Sequence, residues 1–111
     1  MVVAEKAQDW NTHNNIGLVV GATYPEELKG IRHSCPDMPI LIPGIGAQGG
    51  TLNEAVQFGS DKSGRGAIIN SSRAILYASS GPDFAESARE AARSLRDGIN
   101  SVLHENNWDW T

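Results

Sequence analysis

The chain has 111 residues, room for one compact domain and not for two. A hydrophobic fraction of 40% argues against disorder, and a net charge of −4 with nine scattered basic residues argues against a nucleic-acid or anionic-membrane surface. One cysteine, Cys35, leaves no internal disulfide and suits a reducing compartment such as cytosol; no apolar run nears the ~18 residues of a membrane helix, and residues 1–10 do not read as a signal peptide.

Residues 2–10 carry apolar side chains at positions 3, 4, 7 and 10, a helical spacing with no capping signal ahead of it, which suggests a chain that begins inside an element. Residues 11–15 break it. Residues 16–20 (IGLVV) are β-branched and predict a strand. Thr23, Pro25 and Glu26 read as a capping box, opening a helix through Leu28, Ile31 and Arg32 to about Ser34, where Pro36 and Asp37 end it. Residues 39–43 (PILIP) predict a second strand, apolar enough to be buried on both faces. A glycine-rich turn, a short helix over about 52–58 and a polar loop over 60–66 follow. Residues 67–70 (AIIN) predict the third strand, then come a Ser71-Ser72-Arg73 turn and a helical turn over 74–78. The last helix starts near Pro82. Phe84, Ala88, Ala91, Leu95, Ile99 and Val102 recur at three- and four-residue steps and draw one apolar stripe. Trp108 and Trp110 fall in a polar tail, free to pack on a partner or to stay mobile.

The order is a helix followed by three β-α units, each long enough for a right-handed parallel crossover. This is α/β architecture with a parallel sheet. Three strands close nothing, and the available helices shield one face of a sheet that wants both covered. Either a partner supplies the other face or the chain is part of a larger (β/α) barrel.

Two strand-to-helix turns can carry chemistry. In residues 43–50 (PGIGAQGG), four glycines let the backbone approach a ligand and let successive N–H groups form an anion nest. Gln48 is its only long polar side chain. A tight turn whose glycines only avoid clashes accounts for the same residues. The turn is no P-loop, since no Lys-Ser/Thr ends it, and no acidic residue follows at the place a dinucleotide fingerprint requires, where neutral Asn70 stands. The second turn, residues 70–73, combines serines, free N–H groups at a helix start and Arg73 into a natural phosphate site. A serine cap followed by a surface arginine is its plain alternative. Adjacent parallel strands bring both turns to one sheet edge, as the phosphate loops of (β/α)8 enzymes require. The remaining polar groups read as structural: His13, His33 and His104 lack ligand spacing, Cys35 reads as a partly buried thiol, and Glu26 and Glu27 complement a helix dipole.

Residues 19–23 (VVGAT), 41–50 (LIPGIGAQGG) and 69–73 (INSSR) closely resemble the last three strands of orotidine 5′-phosphate decarboxylase, in the bacterial longer-chain subfamily. The resemblance runs through nearly the whole chain and covers about the C-terminal half of such an enzyme, a (β/α)8 barrel working as a homodimer. It implies that Gln48 contacts the substrate phosphate, with Gly49 beside it. It implies that Arg73 makes the charged phosphate contact next to the N–H groups of Ser72 and Arg73, and that Val20, Pro43 and Ile45 wall the pyrimidine. Val20 and Pro43 are equally explained as strand-end core. The implied ligands are orotidine 5′-phosphate and UMP, with neither metal nor cofactor. The family's Asp-x-Lys-x-x-Asp array is missing: Lys6, Lys29 and Lys62, the three lysines, all lie outside such a pattern, so no catalytic residue is assigned.

Two readings follow. In the first, residues 1–111 are a single partial domain, the phosphate-gripping half of a cytoplasmic decarboxylase. In the second, the chain is a non-catalytic phosphate-binding or assembly module that pairs with a missing N-terminal half-barrel or with itself as a homo-oligomer. Another phosphate-binding barrel, of the indole-glycerol-phosphate or isomerase type, fits the 47–50 ending less well.

Overall fold

The structure, a computed structural model, describes residues 2–45 and 49–108. Its elements in chain order are α1 (Val2–Trp10), β1 (Leu18–Val19), α2 (Pro25–Ser34), β2 (Ile40–Ile42), α3 (Gly49–Gly59), β3 (Ala67–Ile69), α4 (Arg73–Leu76) and α5 (Phe84–Glu105). The strands form one parallel sheet in the order β1-β2-β3. The helix-then-three-units order expected from periodicity is therefore present. The strands are shorter than the apolar runs, but their hydrogen bonding continues past them: the Val20 N–H donates to Leu41 O, Ala22 to Pro43 O and Asn70 to Ile42 O.

The central strand explains the core. Ile40 and Ile42 alternate onto one face and are fully buried against α2 and α3, where they meet Leu28, Ala55 and Ala22. Each such side chain contributes about 2 kcal/mol through area removed from water. Leu41, between them, points the other way and is only half-buried. The expectation of a strand covered on both faces holds for one. A second cluster ties Ala4 and Ala7 of α1 to Cys35 and Met38. A third joins Val56 of α3 to Val102 and Leu103 of α5, with Trp108 packed against it. Trp108 is thus part of the chain's own packing, whereas Trp110 lies outside the described residues. Gly59, closing α3, lets that helix sit directly on the sheet; a Cβ there would run into the buried Ile42 side chain.

Three local details depart from the sequence expectation. The capping box does not form: Tyr24 is the N-cap of α2 and makes no side-chain cap bond, with Pro25 opening the helix. Proline needs no N–H partner and fixes φ, so the helix starts without Thr23. Helix α3 begins three residues before the apolar pattern does, at Gly49. The stripe on α5 is most deeply buried at its C-terminal end, at Val102 and Leu103; Leu95 and Ile99 are partly buried against the core, while Phe84 is 61% exposed. Helix α5 packs on both α3 and short α4.

Candidate functional site

The three strand ends define a rim. Because the Ala22 N–H reaches Pro43 O and the Asn70 N–H reaches Ile42 O, residues 20–22, 43–45 and 70–72 leave the sheet side by side at its C-terminal edge. Both turns singled out by the sequence open there. Gly44 has φ +86°, a left-handed conformation that a side chain would strain, so the turn after β2 uses glycine for a backbone reason. Gly46, Ala47 and Gln48 lie outside the described residues. Gly49 is the first residue of α3, which places that helix's N-terminus, with its unsatisfied N–H groups, next to the rim. After β3, Ser72 is the N-cap of α4 and its hydroxyl makes no cap hydrogen bond. Arg73, the first residue of α4, is exposed, and among the described residues its guanidinium has no ion-pair or hydrogen-bond partner. Two helix starts and an exposed arginine at the same sheet edge are the donor types that an anion site needs.

The apolar residues expected beside a ring are placed variously. Ile45 is 4% exposed and belongs to the main core cluster, Val20 is partly buried against that cluster, and Pro43 is half-buried at the strand end.

The opposite edge holds an interaction that sequence reasoning missed. Arg32 of α2 is buried, and its guanidinium donates to five carbonyls: Gly59 O (2.8 Å), Cys35 O (3.0 Å), Pro36 O (3.4 Å), Met38 O (2.6 Å) and Gly66 O (3.2 Å). These are the last carbonyl of α3 and those of the segments entering β2 and β3, so the arginine ties two helix ends to two strand starts. Burial pulls its pKa below the usual value, opposed chiefly by the nearby Asp61 carboxylate. Its position on the Leu28–Arg32–Cys35 face of α2, otherwise apolar, was the available signal.

Asp61 organises the adjoining loop by accepting bonds from the Ser63 N–H, the Ser63 hydroxyl and the Arg65 N–H at 2.8–2.9 Å. Burial pushes its carboxyl up, and the bonds from Arg65 and Ser63 with the Arg32 charge outweigh this, holding it below the usual carboxylate range. A groove of about 900 Å³ lies at this strand-start edge, lined by Lys29, Arg32, Phe58, Asp61 and Trp108 among others; it contains none of the rim residues. The Cys35 thiol is fully buried and donates to Ala4 O, and burial pushes its pKa up, against a role as nucleophile. Among the described residues, no cluster of His, Cys, Asp or Glu is placed to hold a metal ion and no helix is long and apolar enough to cross a membrane.

No family model matches the chain. Curated proteins do. The chain is 60% identical over 99 residues to the orotidine 5′-phosphate decarboxylase of Dehalococcoides mccartyi, covering 89% of this chain and 37% of that protein. It is 58% identical over 97 residues to the orotidine 5′-phosphate decarboxylase of Bordetella avium, covering 86% of this chain and 36% of that protein. The chain thus spans a little over a third of the length of these relatives. Among solved structures, Leishmania donovani OMP decarboxylase superposes with a TM-score of 0.69 at 35% identity, over 89% of this chain and 38% of its own. Leishmania donovani UMP synthase does so with a TM-score of 0.69 at 38% identity, over 88% of this chain and 22% of its own. The decarboxylase neighbours are (β/α)8 barrels, and the three-stranded sheet with its helices is the C-terminal portion of that architecture.

Proposed function

Because the chain belongs to the orotidine 5′-phosphate decarboxylase family, we propose that residues 1–111 are one partial domain that holds the 5′-phosphate of orotidine 5′-phosphate, and of the product UMP, at the C-terminal rim of its sheet. The observation that supports this reading is that the α3 and α4 starts lie at one rim beside Arg73, which has no partner among the described residues. Arg73 makes the charged contact, the N–H groups of Ser72, Arg73 and Gly49 surround the remaining oxygens, and Gln48 closes the glycine turn over them. Pro43 presents an apolar edge to the pyrimidine, with Val20 and Ile45 behind it.

The whole reaction releases carbon dioxide from orotidine 5′-phosphate to give UMP. In it this segment works at a distance from the bond that breaks. Affinity for a non-reacting phosphate can be used to orient and desolvate the reacting end, so a grip on the phosphate raises the rate without touching the carboxylate. The Asp-x-Lys-x-x-Asp array is absent from this sequence, and no group here is assigned to protonate the ring carbon. A cytosolic setting belongs to the same proposal.

The test is a titration of UMP against the chain and against Arg73→Ala. A charge-assisted, bidentate contact of this kind is worth about 1.5–3 kcal/mol, so the variant should bind about 10- to 100-fold more weakly. Equal affinity in the two would remove Arg73 from the site.

A further inference from the structure

We infer that the groove at the strand-start edge, bordered by α2, α3 and the residues that follow α5, is a binding site for a small aromatic carboxylate.

Its two aromatic walls are fixed by the fold. Phe58, in the last turn of α3, is partly buried against the main core cluster. Trp108 is held through its backbone: its N–H donates to Leu103 O at 2.9 Å and the Asn107 N–H to His104 O at 3.0 Å, with Asn107 at φ +60°. Paired bonds across one left-handed residue turn a chain sharply at a helix end and press the residue beyond it back onto the helix. Trp108 packs in this way against the cluster of Val102 and Leu103. Gly64, at φ +78°, makes room for the indole, because a Cβ there would fall on it. Both aromatic surfaces are therefore in place before a ligand arrives, which lowers the cost of binding one.

Charge sets the sign of that ligand. The Lys29 ammonium stands 5.4 Å from the Phe58 ring centroid, so one wall joins an aromatic surface to a cation. Lys62 also lines the groove and has no ion-pair or hydrogen-bond partner among the described residues. Arg32 and Asp61 are committed elsewhere, the first to backbone carbonyls and the second to Ser63 and Arg65. Glu26 opposes the two lysines from α2. Two available cations against one carboxylate suit a monoanion better than a phosphate dianion. The spacing of cation and ring then sets the ligand's shape, with a carboxylate on the ring or one carbon from it. A nucleotide, whose phosphate lies a ribose away from its base, does not match. The groove's volume of about 900 Å³ falls within the ~300–1,000 Å³ of small-molecule sites.

The experiment titrates the isotopically labelled chain with indole-3-acetate and follows its amide resonances. Saturable shifts should centre on Lys29, Phe58 and Trp108, with a Kd of about 1 mM or tighter for a ligand of that size. Tryptophol, which keeps the ring and lacks the charge, and cyclohexylacetate, which keeps the charge and lacks the aromatic ring, should each bind at least about 5-fold more weakly. Lys29→Met should weaken indole-3-acetate about 5-fold and Lys29→Met with Lys62→Met further, with unchanged circular dichroism because both side chains are exposed. UMP should not displace the bound acid. Shifts that do not saturate, equal binding of tryptophol or cyclohexylacetate, an unchanged affinity in the folded double variant, or shifts centred on Gly49, Ser72 and Arg73 would each overturn the inference.

Discussion

At the scale of single residues, Arg32 is the strongest structural commitment in the chain. A buried cation is tolerated only if its donors are satisfied, and here five backbone carbonyls do that without a direct carboxylate contact. Arg32→Met keeps the aliphatic stem and orphans the carbonyls; chemical denaturation should show a loss of about 3 kcal/mol. A loss under about 0.5 kcal/mol would mean that water replaces the guanidinium freely. Asp61 offers a pH test. Its carboxyl is held low when folded, so its contribution is fully present above the ordinary aspartate range near ~4 and disappears as pH falls through the folded value. Asp61→Ala should therefore be less stable than the parent at neutral pH, by about 1–2 kcal/mol for three lost hydrogen bonds, and the gap should shrink on acidification. A gap that is constant down to the acid transition would contradict that sign. The sequence could not announce either role. An arginine in a helix and an aspartate in a polar loop look alike whether they bind carbonyls or water, and only the apolar company of Arg32 distinguished it.

At the scale of elements, legibility tracked how far the determinants are local. Helix α1 and the end of α2 stand where periodicity and Pro36 put them. Strand lengths were overread, because an apolar run marks burial while a strand ends where its partner does. The early start of α3 was hidden by Gly49 and Gly50, poor helix formers that sequence rules assign to the turn. At the head of α5, Asp83 accepts hydrogen bonds from Ser79 (2.6 Å) and Ser87 (3.1 Å), which fasten the preceding loop to the first turn and hold its carboxyl low. The ion pairs further along, Glu86–Arg89 and Glu90–Arg93, are exposed and contribute little. The seat of α3 on β2 gives a sharper prediction. With Ile42 fully buried and Leu28 and Ala67 also near, an added methyl at Gly59 cannot be accommodated by a small shift. Gly59→Ala should cost about 1–3 kcal/mol in a melt of the chain, and a neutral result would show that the α3–β2 contact is looser than drawn.

At the scale of the whole molecule, the chain is longer than a compact domain of its size. Its radius of gyration is 15.1 Å with extents of 49 × 28 × 25 Å, against about 13 Å expected for ~100 residues. Helices cover one side of the sheet, and on the other, among the described residues, Val19 and Ile68 are exposed and Leu41 between them is half-buried. The fold class and the two rim turns were legible because glycine clustering and strand order are properties of the sequence itself. Gln48 lies outside the described residues. The family's lysine-aspartate array is not in this sequence, so the pure 111-residue chain should release no carbon dioxide from orotidine 5′-phosphate. The central claim, that the rim after β2 and β3 binds phosphate, is tested most directly by adding UMP to the isotopically labelled chain and following its backbone amide resonances. The account predicts the largest shifts at Gly49, Ser72 and Arg73 and little change around Lys29, Phe58 and Trp108. Shifts confined to that groove, with the rim silent, would contradict it.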